Sequence, residues 1–365
     1  MKISYFIRNY LAGLAIVASA FSPNLSAEEV STDPVGYVTL NVTSGLGSTK
    51  RLTYLSLPLL EKASGVSGQT VGTITGVTSN TISNSNAGWT SGELSNPSSP
   101  FVIQITSGTA VGRIFLIASS ATTGGAIGGT GLGNTATTIN ISSFDIGSGV
   151  DLVAAGVQAG DTYAIYTCET LSSVFGTPAS SGVQGGTSSS NADTVVLLFN
   201  GSANTYFYST TNSRWSRVFS GSPDASNVPI LPYYGLIYQR LPASALAFTV
   251  TGSVPTIARK TQVKNSGVTL LSQFWPSDST LAELNLQSLP GWVSNSSSAS
   301  ADKVILVSGG SAFTYWHDGT NWKRIFSGSP ISNTVPVPAG ATVYINKLGT
   351  TTGFSTFSQN VPYSL

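Results

Sequence analysis

The chain has 365 residues, of which only 8% are charged, 16 Lys+Arg against 15 Asp+Glu, where soluble domains usually carry about 25%. A hydrophobic share of 41% and a net charge of +1 exclude a disordered polyelectrolyte and a basic nucleic-acid surface. One His and one Cys leave no ligand set for a His/Cys metal site and no redox pair, so neither a metal nor a cofactor is expected.

The first element reads as a leader. Lys2 and Arg8 form a basic start, residues 10–21 an apolar core, and Leu25-Ser26-Ala27 a small-residue cleavage site ahead of Glu28. That core is shorter than the roughly 20 residues a spanning helix needs. Residues 1–27 are therefore expected to be a cleaved signal peptide rather than a buried helix. No Cys follows to carry a lipid, and no later run is apolar enough for a transmembrane helix. Without Lys2 and Arg8 the mature chain holds 14 basic and 15 acidic residues.

Beyond the leader, strand signals dominate. Residues 37–42 (YVTLNV), 101–106 (FVIQIT), 113–118 (RIFLIA), 194–199 (TVVLLF) and 303–307 (KVILV) are β-branched or aromatic runs bounded by Gly, Ser, Asn or Pro. Residues 72–83 read as strand, turn, strand, residues 137–142 as one short strand, and residues 124–133 (GGAIGGTGLG) as a flexible loop. Cys168 ends an apolar stretch and reads as a small buried hydrophobe, with an intermolecular disulfide as the alternative. Two segments look helical for a turn or two. They are residues 170–175 (TLSSVF) and 280–286 (TLAELNL), the latter with Thr280 and Glu283 spaced as a capping box.

The strongest signal is an internal repeat. DTVVLLFNGSANTYFYSTTNSRWSRVFSGSP from Asp193 matches DKVILVSGGSAFTYWHDGTNWKRIFSGSP from Asp302, at an offset of 109 that becomes 107 from Trp215/Trp322 onward. The second offset holds through Val228-Pro229/Val335-Pro336 and Val254-Pro255/Val361-Pro362. The expected organisation is an all-β chain of tandem β-sandwich or β-barrel-like modules with one or two short helical turns. Its divisions are the signal peptide (1–27), a Gly/Thr/Asn-rich β region (28–158), a first repeat copy (159–255) and a second (256–365).

Several short motifs accompany this layout. They are Asp33-Pro34-Val35-Gly36-Tyr37 after the leader, Gly160-Asp161-Thr162-Tyr163 leading into Thr170-Leu171, Leu289-Pro290-Gly291-Trp292 and Ala301-Asp302-Lys303-Val304. Together with the Trp-bearing hairpins, the chain resembles an uncharacterised family of exported, paralogous, β-rich bacterial proteins. The resemblance implies secretion and supplies no activity or catalytic residues.

Candidate chemistry is sparse. A Ser/His/Asp triad would need His317, but Tyr208 fills its place in the first copy and no G-x-S-x-G occurs, so His317 is expected at the surface beside the Asp318-Gly319 turn. Asp193 and Asp302 recur one per copy, which suits capping a strand start better than the paired carboxylates of a glycosidase, and Asp224 has Ile331 as its counterpart. No D-x-D-x-D run offers calcium its oxygens, and residues 129–133 lack the helix and acidic residue of a dinucleotide loop. The candidate ligand-binding set is Tyr208, Trp215, Arg217, Trp316, Trp322 and Arg324, on the aromatic hairpins. Flat rings there would stack on sugars, or else pack across strands to fix the hairpin register, which alternation favours. Arg217 and Arg324 are expected on the outer face beside the rings. The expected role is a non-catalytic structural or adhesive protein, exported to the medium or the outer surface of a bacterial cell envelope, with itself or a surface polysaccharide as partner. A carbohydrate-binding protein and an outer-membrane barrel are the alternatives.

Overall fold

A computed structural model describes residues 34–119, 133–142, 151–199 and 202–364. The expected leader, residues 1–27, and residues 124–132 of the expected glycine loop lie outside them. Among the described residues the fold is all-β, with antiparallel sheets and two short α-helices, Leu171–Phe175 and Pro178–Ser181. Among the described residues no helix is long and apolar enough to cross a membrane.

Two five-stranded sheets frame the molecule. One runs Arg214–Arg217, Ser202–Ser209, Thr194–Phe199, Leu236–Arg240 and Arg51–Leu55. The other runs Trp322–Arg324, Ser311–His317, Lys303–Ser308, Thr342–Lys347 and Gly267–Ser272. The order is the same, strand for strand. Val35–Val42, in the N-terminal region, pairs along its whole length with Leu246–Ser253, as Arg259–Lys264 pairs with Phe354–Gln359 in the second half. Alternation explains the first pairing: Val38, Leu40 and Val42 are buried while Tyr37, Thr39 and Asn41 face out. Both sheets share one continuous core that includes Leu55, Trp215, Phe248, Leu271, Trp275 and Val343.

Between Arg51–Leu55 and Thr194–Phe199 the chain builds a second β body, joined to the main core through Val102, Ile114 and Leu116. Glu61–Lys62, Val71–Thr73, Thr162–Thr167, Phe101–Ile105 and Ile114–Leu116 form its larger sheet, and Gly76–Val77, Thr81–Ser83 and Thr138–Asn140 its smaller one. Its own core spans Ile74 to Ile165, where the Trp89 and Tyr163 rings lie 6.2 Å apart. The strand-turn-strand reading of residues 72–83 is realised as the hairpin of Gly76–Val77 with Thr81–Ser83.

The helical expectations divide. Thr170 caps Leu171–Phe175, and Ser173 takes the place of the missing Glu by returning a hydrogen bond to the cap. The Thr280/Glu283 box forms in both directions, at 2.7 and 3.3 Å, but closes only a turn, followed by the 3-10 segment Leu286–Ser288. Pro178–Ser181, with Thr177 as its cap and Pro at its start, escaped the sequence reading.

The halves meet through reciprocal contacts. Leu55 bridges Ala341 and Leu271 bridges Tyr234, both antiparallel. The Ser56 amide donates to the Gly340 carbonyl at 2.7 Å, and the Ser272 amide to the Tyr233 carbonyl at 3.4 Å. The offset of 107 maps Tyr233-Tyr234 onto Gly340-Ala341. Leu55 and Leu271 also occupy the same sheet position, opposite Leu236 and Val343. Exchanging the halves therefore carries each contact into the other. On this seam Gly235 faces its own counterpart Thr342, and a Cβ on Gly235 would overlap the Thr342 side chain. Only one of the two positions has room for a side chain. Gly235→Ala should destabilise the fold by about 1–3 kcal/mol, measured by urea unfolding. Gly235→Ala combined with Thr342→Gly should recover most of the loss, and a double variant no better than the single one would refute the steric account.

Candidate functional site

Each hairpin brings its aromatic residues together by cross-strand pairing. Tyr208 lies opposite Trp215, and His317 opposite Trp322. The rings meet edge to face in both copies, at 6.2 Å and 88° for Tyr208/Trp215 and 5.4 Å and 71° for His317/Trp322. Trp215 and Trp322 are each 1% exposed, Trp316 is buried as well, and only Tyr208 of the aromatic candidates is half-open. The Trp215 indole donates to the Gly176 carbonyl at 2.8 Å, while Trp322 packs edge to face on Trp292 at 5.6 Å. These indoles have no open face for a sugar ring. They act within the core and lock the hairpin register.

His317 departs from expectation. It is 8% exposed, because residues 294–295 fold over the hairpin end. Its Nδ1 accepts from the Ser294 hydroxyl at 3.0 Å and the Gly319 amide at 3.3 Å, so its proton resides on Nε2. Burial lowers its pKa, against a smaller upward pull from Asp318. Asp318 itself stays well below the usual carboxylate range because Lys323 and two turn amides donate to it. The Asp318-Gly319 turn forms as read, with Gly319 at φ 106°.

Asp193 and Asp302 are buried and tie distant segments together. Asp193 accepts from the amides of Gln184 (2.8 Å) and Leu241 (2.9 Å), the Tyr238 hydroxyl (2.8 Å) and the Arg240 guanidinium (2.6 Å). Asp302 accepts from the amides of Val293 (2.9 Å) and Leu348 (2.7 Å), and Lys347 donates to the Pro290 carbonyl at 3.0 Å. Cys168 is buried too, with Sγ against the carbonyls of Glu169 and Ile230 at 3.6 Å, and burial pushes its thiol pKa up. A raised thiol pKa and an enclosed sulfur leave it little thiolate to react. Among the described residues no three His, Cys, Asp or Glu side chains cluster as metal ligands.

Two surface features stand out beside scattered exposed residues such as Val35, Tyr37 and Ile331. The first is a loop present in both halves, Arg217-Val218-Phe219-Ser220-Gly221-Ser222-Pro223 and Arg324-Ile325-Phe326-Ser327-Gly328-Ser329-Pro330. Phe219 and Phe326 are 65% and 64% exposed, Val218 and Ile325 45% and 44%. The backbones agree as closely: Gly221 and Gly328 lie at φ 78° and 77°, Ser222 and Ser329 at 42° and 45°. A non-glycine residue held there costs roughly 1–3 kcal/mol. Arg217 stacks on Phe219 at 5.3 Å and Arg324 on Phe326 at 5.1 Å. The two arginines thus sit on phenylalanines rather than on the hairpin Trp and Tyr rings.

The second is a groove of about 270 Å³ where the halves adjoin. Its walls include Tyr54, Phe313, Tyr315, Arg324, Pro336 and Pro338. Tyr54 comes from the other sheet and stacks on Tyr344 at 6.2 Å and 17°. Of the candidate set only Arg324 reaches this groove. Tyr54 carried no local signal, being far from the rest in sequence, whereas Phe313 was visible as a departure from Asn204 in the first copy.

Two outcomes test this account. Asp193→Ala strands a buried cation and a tyrosine hydroxyl, so it should cost about 3–5 kcal/mol, against about 1–3 kcal/mol for Asp302→Ala, by urea unfolding. Because the His317 pKa is lower folded than unfolded, the unfolded chain binds more protons between the two values. Its contribution to stability is therefore full above the unfolded value of about 6.5 and declines as pH falls below it. His317→Tyr, the first copy's aromatic type at this place, should flatten the fall in melting temperature from pH 7 to 5.5. Compared with protein-family models, curated proteins and solved structures, the chain matches none of them.

Proposed function

We propose that the protein is an exported, non-catalytic structural or adhesive component of a bacterial cell envelope, built by duplication of a β module, and that it associates with its own copies. The observation that carries this reading is the twin exposed loop. Burying a Phe contributes about 1.5–3 kcal/mol, yet Phe219 and Phe326 are both left in solvent on a strained backbone. Each loop follows the strand at the sheet end opposite the seam, Arg214–Arg217 in one half and Trp322–Arg324 in the other. At the usual strand spacing each lies roughly 19 Å from the seam strand of its sheet. One molecule then offers two like contacts, the valence that an assembling surface protein needs. With 14 basic and 15 acidic residues, the mature chain puts little charge repulsion between copies. The leader-like start and the resemblance to exported β-rich proteins support export.

Sedimentation of the purified mature chain should show concentration-dependent assembly beyond a dimer. Phe219→Ser or Phe326→Ser alone should limit assembly to dimers. The double variant should be monomeric at concentrations about tenfold above the wild-type transition. A wild-type chain that stays monomeric at every concentration would overturn the proposal.

A further inference from the structure

We infer that the groove between the halves binds a carboxylated sugar residue, of the uronic-acid type, with its carboxylate on Arg324 and its ring face on Tyr54 and Phe313. The inference does not rest on self-association, although Arg324 also opens one of the exposed loops and stacks on its Phe326.

Arg324 is unlike the cations whose charge or donors the fold already uses. Arg240 pairs with Asp193, Lys323 with Asp318, and Arg259 donates to the Pro58 and Phe274 carbonyls. The Arg324 guanidinium is half-buried and held over Phe313 at 4.2 Å and Phe326 at 5.1 Å. Among the described residues no carboxylate lies within salt-bridge distance of it, and no side-chain hydrogen bond uses its donors. Stacking between rings fixes the plane of the guanidinium while leaving its N–H edge free, the arrangement that favours a two-point bond to a carboxylate.

The walls select what carries that carboxylate. Tyr54 is held by its stack on Tyr344, and Phe313 by the guanidinium above it. The C–H face of a pyranose packs on such rings, and the tyrosine hydroxyls beside them can exchange hydrogen bonds with the ring hydroxyls. The volume lies just below the roughly 300–1,000 Å³ of drug-sized sites, which suits a single sugar ring at the lip of a longer chain. A phosphate or small free anion would gain nothing from the aromatic walls.

The first half supplies an internal control. The residues corresponding to Tyr54, Tyr344 and Phe313 across the reciprocal seam are Leu270, Ile237 and Asn204. Arg217 persists, with only Phe219 beneath it. The frame is duplicated and the ring walls are not, so one site per chain is expected.

Titration calorimetry of the mature chain with oligogalacturonate should show one site. Neutral cello-oligosaccharide and oligoglutamate should bind about tenfold or more weakly, because each lacks either the charge or the ring. Arg324→Gln should weaken oligogalacturonate about tenfold or more, Tyr54→Ala comparably, and Arg217→Gln should leave it unchanged. Circular dichroism and melting temperature verify that the variants fold, and Tyr54→Ala lies outside the exposed loops, so sedimentation should show its assembly intact. Binding of the neutral sugar or of oligoglutamate as tightly as the acidic one, no binding of any probe, or indifference to both Arg324→Gln and Tyr54→Ala would each overturn the inference.

Discussion

The seam between the two sheets is the constraint on which the rest of the architecture depends. An open sheet edge is a row of unpaired amides and carbonyls, and a chain this poor in charge has few lysines or glutamates with which to blunt one. Arg51–Leu55 and Gly267–Ser272 would each be such an edge. Instead, the end of each reaches the opposite half, Leu55 at Ala341 and Leu271 at Tyr234. This is an isologous contact made within one chain: the same patch, used twice, in opposite directions. At its centre a position meets its own counterpart, which explains the inequality of Gly235 and Thr342. Thr342 retains its side chain and directs its hydroxyl to the Leu55 carbonyl, and Gly235 makes room for it. The outer ends of the sheets, with their exposed phenylalanines, and the groove that needs Tyr54 to lie over the far half both follow from this closure.

Charge is scarce, and part of it is inside. Asp193 and Arg240 form a buried pair whose remaining acceptor sites are filled by two amides and a tyrosine hydroxyl. That is the condition under which burying ions is tolerated. In the second half Ile345 stands where Tyr238 stands in the first and Lys347 replaces Arg240, and the ammonium turns to the Pro290 carbonyl. Both carboxylates still accept the two amides that hold the preceding loop and the end of the fourth strand in place. Arg259 is the extreme case, almost wholly buried, donating only to carbonyls and pulled down to about 10 by desolvation. It remains charged at neutral pH, and its position between Pro58 and Phe274 fastens the start of the inserted β body to the second half. Solvation of the outer surface then falls to Ser, Thr, Asn and the backbone.

What the sequence made legible was whatever rests on local chemistry or on repetition. The strands at residues 194–199 and 303–307 follow from their β-branched runs, and the Thr280/Glu283 box from its spacing. The structural place of Asp193 and Asp302 at a strand start follows from their recurrence. What stayed hidden depends on partners distant in the chain. Residues 35–55 read as part of an N-terminal region because nothing local marks Val42 as opposite Leu246 or Arg51 as opposite Arg240. His317 looked exposed because it adjoins a turn, yet residues 294–295, remote in sequence, cover it. The Thr177-Pro178 start obeys the same capping rule as Thr170, but the helix it opens is a single turn. The candidate site divides the same way. Arg324 was accessible from the repeat, the packing of the hairpin rings from cross-strand pairing, and Tyr54 from neither.

Comparison of the halves separates requirements of the fold from properties of one copy. A feature kept in both must serve something both halves do. The edge-to-face hairpin pair tolerates Tyr208 or His317 because either ring fixes the register, so no imidazole chemistry is needed to explain His317. The exposed loop is different. Its sequence, its positive-φ serine and the exposure of its phenylalanine coincide to within a few degrees and one percentage point. The stacks of Arg217 and Arg324 on these rings contribute only about 0.5–1 kcal/mol each at an exposed site, a small return for two exposed phenylalanines on a strained backbone. The groove has the opposite signature: rings on one side of the seam, aliphatic and amide side chains at the matching places on the other. A ligand that needs one site, as proposed for the groove, would account for that asymmetry. The shared loops and the unshared groove therefore carry separate proposals, association for the former and recognition for the latter.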